Sequence, residues 1–568
     1  MAALDYLIVL IYLVGLFLIS TFAAKRNTGQ KEMFSANRSS PWWASGLSGF
    51  MTVFSANTFV VWGGIAYQFG LVAVVINLTY GVAALLIGYF VAGRWNQMGL
   101  DTPAEYVAIR FGNRGLSFFT ITLLIKRILG VSGSLYALGV LLTATTSSGS
   151  AILPFTLDQA ILLFGAIIIL YTMQGGLWAV LMTDVLQFIV LTVVVLIASI
   201  LMLADIGSLE NFRTNTPEDF LNFTAGDYTW FFLLGWTIIN FFTFGAEWAF
   251  VQRFLAVKNP RDARKATYLF GLMYLVTPLF WMLPPLLYRS QVQGAQKESA
   301  YIMATESVLP AGLVGLMVAA LFSATASMVS SQLNVFAGVL TNDFYRTFFD
   351  PAASEKKLVR VGRVFTLLLG AVLVVIALLV PAMGGAEKLV ITINSMLVVP
   401  LLAPTLWGLF SRKLAFRHLV YVTLISFTLG MTLRFGLPLL IDQESRFGWI
   451  TDWVTKNQKM VELFVGVLLP VCLLAAFEFL LRGIDHRAQR LMNKCSEVAK
   501  EIGGSQKPAT LDLYPVRMVA ISLFVLGLWL LLIGFREPSV RTIMLSTGMI
   551  LVFLSLGLEF LVRRLKNR

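Results

Sequence analysis

Charge is scarce in this chain: Asp, Glu, Lys and Arg together make up 13% of 568 residues, against roughly a quarter in an ordinary soluble domain. Cysteine is nearly missing. Cys472 and Cys495 stand at no metal-ligand or disulfide spacing, which excludes a disulfide scaffold or a Cys-ligated zinc fold and leaves the redox compartment open. Histidine is as rare. His418 and His486 lie in or beside basic loops and no H-E-x-x-H occurs, so a membrane-embedded enzyme has neither metal ligands nor a nucleophile–base set to work with. No cation precedes the first apolar run, MAALDYLIVLIYLVGLFLISTFAAKRN, which instead carries Asp5. A cleavable leader has the opposite pattern, so this run reads as an uncleaved first span with its N-terminus outside. No kinase-like domain is appended.

What the chain does have is apolar length. Hydrophobic residues reach 58%, with a mean hydropathy of +0.79. They fall into fifteen runs near the roughly 20 residues a membrane helix needs, among them 44–69, 180–204, 229–250 and 306–340. With no water in the bilayer core, such runs must be helices. The net charge of +13 is not a nucleic-acid signature. If the N-terminus is outside, 31 of the 43 Lys and Arg fall in or flank the cytoplasmic segments and nine fall outside. That asymmetry places the C-terminus in the cytoplasm of a plasma (inner) membrane protein. The largest cytoplasmic insert, 482–516, reads as a basic amphipathic helix followed by a Gly/Ser/Lys/Pro linker. It either lies on anionic lipid or is a solvated connector.

Polar groups inside the runs are the functional candidates, because ionisable side chains are expensive at bilayer depth. Glu478 and Glu559 sit at span ends beside basic loops and read as snorkelling residues. Glu247 is expected to pair with Arg253 or another loop cation. Lys126 and Arg127 can snorkel, pair with an internal acid or meet an anionic substrate. Asp184, with Gln187 on its face and no basic residue near in sequence, is expected to be a lone carboxylate suited to a cation or a proton. In ATASMVSSQLN, residues 324–334, Ser327, Ser330 and Ser331 share one helix face. Hydroxyl, carboxylate and carbonyl oxygens together suit a hard cation such as Na+. Two spans are expected to break. The second holds Ser55, Asn57 and Thr58 before Gly63 and Gly64, and the seventh holds Asn240, Thr243 and Gly245. Ser, Asn and Gly weaken a helix and free backbone carbonyls. These spans run in opposite directions, five apart, as interrupted helices of inverted repeats do around a transporter's central site.

Four stretches then carry a resemblance whose order and spacing match across roughly residues 5–480: TPAEYVAIRFG (102–112), GGLWAVLMTDVLQ (175–187), VQRFLAVKNPRDARKA (251–266) and the LTNDFYR that closes the ninth span. In order and spacing the chain resembles the sodium/solute symporter family of sodium–glucose, sodium–proline and sodium–sialic acid transporters. The resemblance implies an all-α polytopic membrane protein with a LeuT-type 5+5 inverted repeat. An extra N-terminal span and loop occupy 1–43, the repeats 44–205 and 229–411, additional spans 418–481, and two further spans with a basic tail 517–568. It implies Na+-driven symport by alternating access, with proton coupling through Asp184 or a non-transporting solute sensor as alternatives. Carried over residue by residue, the family's usual sodium site is the carbonyls of Met51, Phe54 and Ala324 with Ser327 and position 328. Here that last position is Met328, a thioether where a hydroxyl is expected, and a poor ligand for a hard cation. A second sodium position in some members maps onto Asp184, Ser327, Ser330 and Ser331, with all its oxygens present. The implied solute cavity is Asn57, Thr58, Asn77, Tyr80, Asn240, Thr243, Tyr274 and Asn394, with Trp62 and Phe242 as aromatic lids. That amide- and hydroxyl-rich set suits a sugar, polyol or similar small polar organic solute. A carboxylate substrate requires Lys126 or Arg127 to reach the pocket. The partners implied are this solute, Na+ and the lipid bilayer, with no nucleic acid and no required oligomer.

Overall fold

The computed structural model describes all residues except 25–37, 39, 147–152, 173–176, 207, 347–348, 437–447, 495–513, 537, 539–540 and 567–568. Gly175 and Gly176 of the GG stretch, most of the first basic loop and much of the 482–516 connector, Cys495 included, lie outside the described residues. Among the described residues nine helices are long and apolar enough to cross a membrane. One bent pair and five shorter apolar helices fill the other expected runs.

In chain order the helices are α1 (Ala3–Ala24), α2 (Trp42–Val53), α3 (Thr58–Phe69), α4 (Val72–Gln97), α5 (Pro103–Thr146), α6 (Leu157–Thr172) and α7 (Leu177–Asp205). There follow α8 (Leu209–Thr214), α9 (Trp230–Ala246), α10 (Trp248–Leu255), α11 (Pro260–Gln291), α12 (Ala300–Val308), α13 (Leu313–Val339) and α14 (Glu355–Leu379). The last are α15 (Gly385–Trp407), α16 (Phe416–Met431), α17 (Gly448–Lys456), α18 (Gln458–Leu480), α19 (Tyr514–Arg536) and α20 (Arg541–Lys566).

Both expected breaks are present. α2 and α3 are one span bent by 61°, with Phe54 extended at the corner. The backbone N–H of Ala56, freed by the bend, donates to Thr325 Oγ1 on α13 at 2.9 Å. α9 and α10 part at Glu247, whose ψ of 131° ends one helix and starts the next. The nearby Gly245 carbonyl, which lacks a helical partner there, accepts from Trp95 Nε1 of α4 at 2.7 Å. Each break survives because a neighbouring helix supplies the missing partner, as the bilayer interior demands.

These broken spans pack with α4 and α11 as one unit, while α5, α6, α13 and α14 pack together as another, with α7 lying along α13 and α2. Within the first unit Gly81 and Gly271 bring α4 and α11 into backbone contact. A Cβ on either glycine would meet the other's carbonyl oxygen at 2.9 or 3.1 Å. The apolar stretch of α13 is wholly enclosed by protein, so its hydroxyls face side chains rather than lipid.

One boundary differs from the sequence expectation. The run 306–340 holds two elements, because Pro310 and Gly312, the latter at φ +96°, turn the chain between α12 and α13. Asp5 of α1 stabilises that turn by accepting from the N–H groups of Gly312 (2.6 Å) and Gly315 (2.8 Å). Its carboxylate is thus an N-terminal cap for α13 supplied from another helix. Asp5→Ala is expected to lower stability by about 2 kcal/mol, read as an earlier midpoint in detergent thermal unfolding. An unchanged midpoint would show that α1 does not hold α13.

Candidate functional site

Between the two units lies a cavity of about 130 Å³. The broken spans supply Ser55, Asn57, Thr58, Trp62, Asn240, Thr243 and Glu247, α4 supplies Tyr80, and α15 supplies Asn394. Six of the eight expected solute residues therefore line it: Asn57, Thr58, Tyr80, Asn240, Thr243 and Asn394. Several are fixed by bonds to their own helix one turn back. Asn240 donates to Trp236 O, Asn394 to Val390 O and Thr243 to Ile239 O, all at 2.8 Å. Asn57 is held from α5, its amide oxygen accepting from Ser134 Oγ at 2.7 Å and its nitrogen donating to Gly133 O at 3.1 Å.

Two expected residues do not reach the cavity. Asn77 is buried with its amide on Ala73 O, and Tyr274 stacks behind Tyr80 at 5.2 Å between ring centroids. Tyr274 therefore supports the wall. Of the two expected aromatic lids, Trp62 lines the cavity and packs against Trp236 at 5.6 Å; Phe242 is buried away from the lining. Trp236, Ser134 and Phe250 complete the wall, and nothing in their local sequence marked them. Two acids tie the start of α15 to its neighbours. Glu387 accepts from Tyr228 (2.8 Å) and Lys297 (2.7 Å), and Glu298 accepts from Tyr136 (2.7 Å) and Ala386 N (3.0 Å).

Lys126 and Arg127 also line the cavity. They share Glu247, with Lys126 Nζ 3.5 Å from Oε2 and the Arg127 guanidinium against Oε1. Glu247 therefore pairs with these two rather than with Arg253, because the break at 247 turns its carboxylate toward α5. The lining carries two cations and one acid. At the span ends, Glu478 accepts from Trp407 Nε1 at 3.3 Å and Glu559 pairs with Arg517 at 3.1 Å.

The second cluster centres on Asp184. Its carboxylate accepts from Ser327 Oγ at 2.5 Å and from Ser48 Oγ at 2.6 Å. It is not a lone carboxylate: Arg253 Nη2 lies 4.0 Å away, and Arg253 Nε donates to Ser48 Oγ at 3.2 Å. Sequence distance hid this partner, since only the fold of α10 against α2 brings it to α7. Ser330 Oγ donates to Ser327 O at 3.1 Å and Ser331 lies one residue further along the same buried face. At the usual-site positions, Met51 O accepts from Phe54 N at 3.1 Å across the corner of the broken span. Ser323 Oγ, one turn before Ser327, is buried without a partner among the described residues. Met328 lines the solute cavity itself. Among the described residues no group of three or more His, Cys, Asp or Glu side chains could hold a metal ion; the oxygens around Asp184 are hydroxyls and a single carboxylate, ligand types that suit a hard cation. Met328→Ser is expected to tighten apparent Na+ affinity about fivefold, the worth of one added oxygen contact, read from the Na+ dependence of uptake.

Two broken spans around a central polar cavity define a helical secondary transporter of LeuT type. Residues 33–417 match the Sodium:solute symporter family, and the chain belongs to it. It is similar to the sodium/sialic acid symporter NanT of Aliivibrio fischeri (27% identical over 444 residues, covering 72% of this chain and 83% of that one). The sodium/glucose cotransporter of Vibrio parahaemolyticus is 25% identical over 479 residues, covering 77% and 86%. The sodium-coupled monocarboxylate transporter 1 of Xenopus laevis is 26% identical over 463 residues, covering 77% and 71%. Among solved structures, a Na+-coupled sialic acid symporter in a substrate-bound outward-open state superposes with a TM-score of 0.66 at 20% identity, covering 83% and 97%. The chain is therefore a Na+-coupled solute symporter and not an enzyme.

Proposed function

We propose that the solute is a small polyhydroxylated organic acid, a sugar or polyol skeleton bearing one carboxylate, taken up together with Na+. The observation that carries this reading is the position of Lys126 and Arg127 on the cavity wall with Glu247 as their shared acid. One positive charge in excess, inside a protein-lined cavity where interactions are stronger than in water, favours an anion. The amides of Asn57, Asn240 and Asn394 and the hydroxyls of Thr58 and Thr243 suit the hydroxyl groups of such a molecule. Relatives named for sialic acid and for a monocarboxylate support an acid, and one named for glucose supports the hydroxylated skeleton.

Sodium is assigned to Asp184 with Ser327, Ser330 and Ser331, because the Met328 thioether weakens the alternative position. The basic loops set the direction, with the N-terminus outside and the C-terminus in the cytoplasm of the inner membrane. The test is uptake into proteoliposomes under an imposed Na+ gradient. Sugar acids, neutral sugars, polyols and short monocarboxylates are offered at equal concentration. Sugar acids are expected to accumulate most. Preference for neutral sugars would overturn the acid, and accumulation indifferent to Na+ would overturn the coupling.

A further inference from the structure

At the end of the molecule where the basic loops gather there is a second cavity, of about 700 Å³, remote from the solute and sodium positions. Its polar wall is Asn113, Arg114, Arg487 and Arg490, with Gly112 and Phe416 beside them and no acidic residue in the lining. Arg114 comes from the first turns of α5, and Arg487 and Arg490 from the short helix 486–494 that follows α18.

Two neighbouring cations are matched by acids. Arg110 Nη1 pairs with Asp485 at 2.9 Å and its other nitrogens donate to the carbonyls of Gly408, Ser411 and Leu414. Lys494 pairs with Glu105 at 2.7 Å. These two ion pairs pin the helix 486–494 at both ends across the start of α5. Ala488 and Leu491 are buried beneath it, while Arg487 and Arg490 are exposed into the cavity. Among the described residues no acid pairs with Arg114, Arg487 or Arg490. Gly112, at φ +78°, presents bare backbone to the Arg487 guanidinium, and any Cβ there would collide with it. Its left-handed φ requires the glycine, and three like charges lining one cavity favour an anion there.

We propose that this cavity binds a phosphate-bearing anion, namely the headgroup of an anionic phospholipid. Guanidinium forks match phosphate oxygens in pairs, and three of them converge here. The chain entering the helix exposes Phe479, Leu480 and Ile484, which sets the cavity at the edge of the apolar belt where headgroups lie. A bound headgroup fastens the helix 486–494 to the foot of α5, the helix that carries Lys126 and Arg127.

The experiment titrates the detergent-solubilised full chain with phosphatidylglycerol or phosphatidylcholine and counts bound lipid by native mass spectrometry. Wild type is expected to retain phosphatidylglycerol preferentially. R114Q/R487Q/R490Q is expected to weaken that retention at least about tenfold, from the loss of charge-assisted hydrogen bonds. K356Q/R360Q/R363Q, which removes the same charge from the same face, is expected to change it less than about threefold. R490Q alone serves if the triple variant fails to fold, with a smaller loss in the same direction. Equal retention of the two lipids by wild type, or equal loss in the two triple variants, would overturn the proposal. If inorganic phosphate raises the thermal midpoint through the same arginines while neither lipid is preferred, the ligand is a soluble phosphate and the lipid assignment falls.

Discussion

Asp184→Asn is expected to remove Na+-driven uptake, raising the Na+ concentration for half-maximal transport by at least roughly a hundredfold. The substitution keeps shape and leaves an oxygen for one of Ser48 and Ser327, the other meeting an amide N–H to accept from, and it deletes the one formal charge facing the hydroxyls of α13. It also strands the Arg253 guanidinium, 4.0 Å away, and breaking a buried pair from one side costs about 3–5 kcal/mol. A loss of uptake could then be a loss of fold. The double variant Asp184→Asn/Arg253→Gln separates the two, because it removes both charges together and is expected to recover the thermal midpoint without recovering Na+ dependence. An Asp184→Asn protein with the wild-type Na+ response would show that sodium binds elsewhere, with the carbonyls of Met51, Phe54 and Ala324 the next candidates.

The second large effect is expected at Arg127. Arg127→Gln leaves Lys126 and Glu247 as a neutral pair, so the excess positive charge of the cavity disappears. The KM for an acidic solute is expected to rise about 10- to 100-fold, the worth of one charge-assisted hydrogen bond, with Na+ affinity little changed. A neutral sugar analogue should be indifferent to the substitution. Glu247→Gln runs the other way: it frees both cations, so acid binding tightens while the fold loses stability to two unpaired charges. Should Arg127→Gln weaken neutral and acidic solutes alike, the arginine shapes the wall and does not read the charge.

How far the sequence foretold these sites depends on the range over which each signal acts. The broken spans were legible because Ser55, Asn57 and Gly245 act on their own helix, and a helix weakened locally breaks locally. The polar cavity residues came from the family resemblance, carried over position by position, and six of the eight line the cavity. Partnerships were not legible. Arg253 was visible in its Q-R loop and Asp184 in its helix, yet their meeting depends on how α10 packs on α2 and how α2 packs on α7. Ser48, the hydroxyl that bridges them, looked like one more small residue in an apolar run. The family resemblance implies Tyr274 in the cavity, but Tyr80 stacks against it and takes the lining position. Hydropathy bridged α12 and α13 into one run because it averages over Pro310 and Gly312, whose effect lies in backbone direction and not in polarity.

The Asp184 cluster has a mechanical meaning. Ser48 and Arg253 ride on the unit built from the broken spans, while Ser327 belongs to the opposing unit and Asp184 to the helix laid along it. The Gly81–Gly271 contact holds the first unit's helices backbone to backbone, so any relative movement of the units has to pass through the joint between them. The carboxylate is a bolt across that joint, engaged at present by a hydroxyl and a tethered guanidinium. A small cation arriving there would take the place of a fastening, and the joint would slide or lock according to which cation holds the bolt.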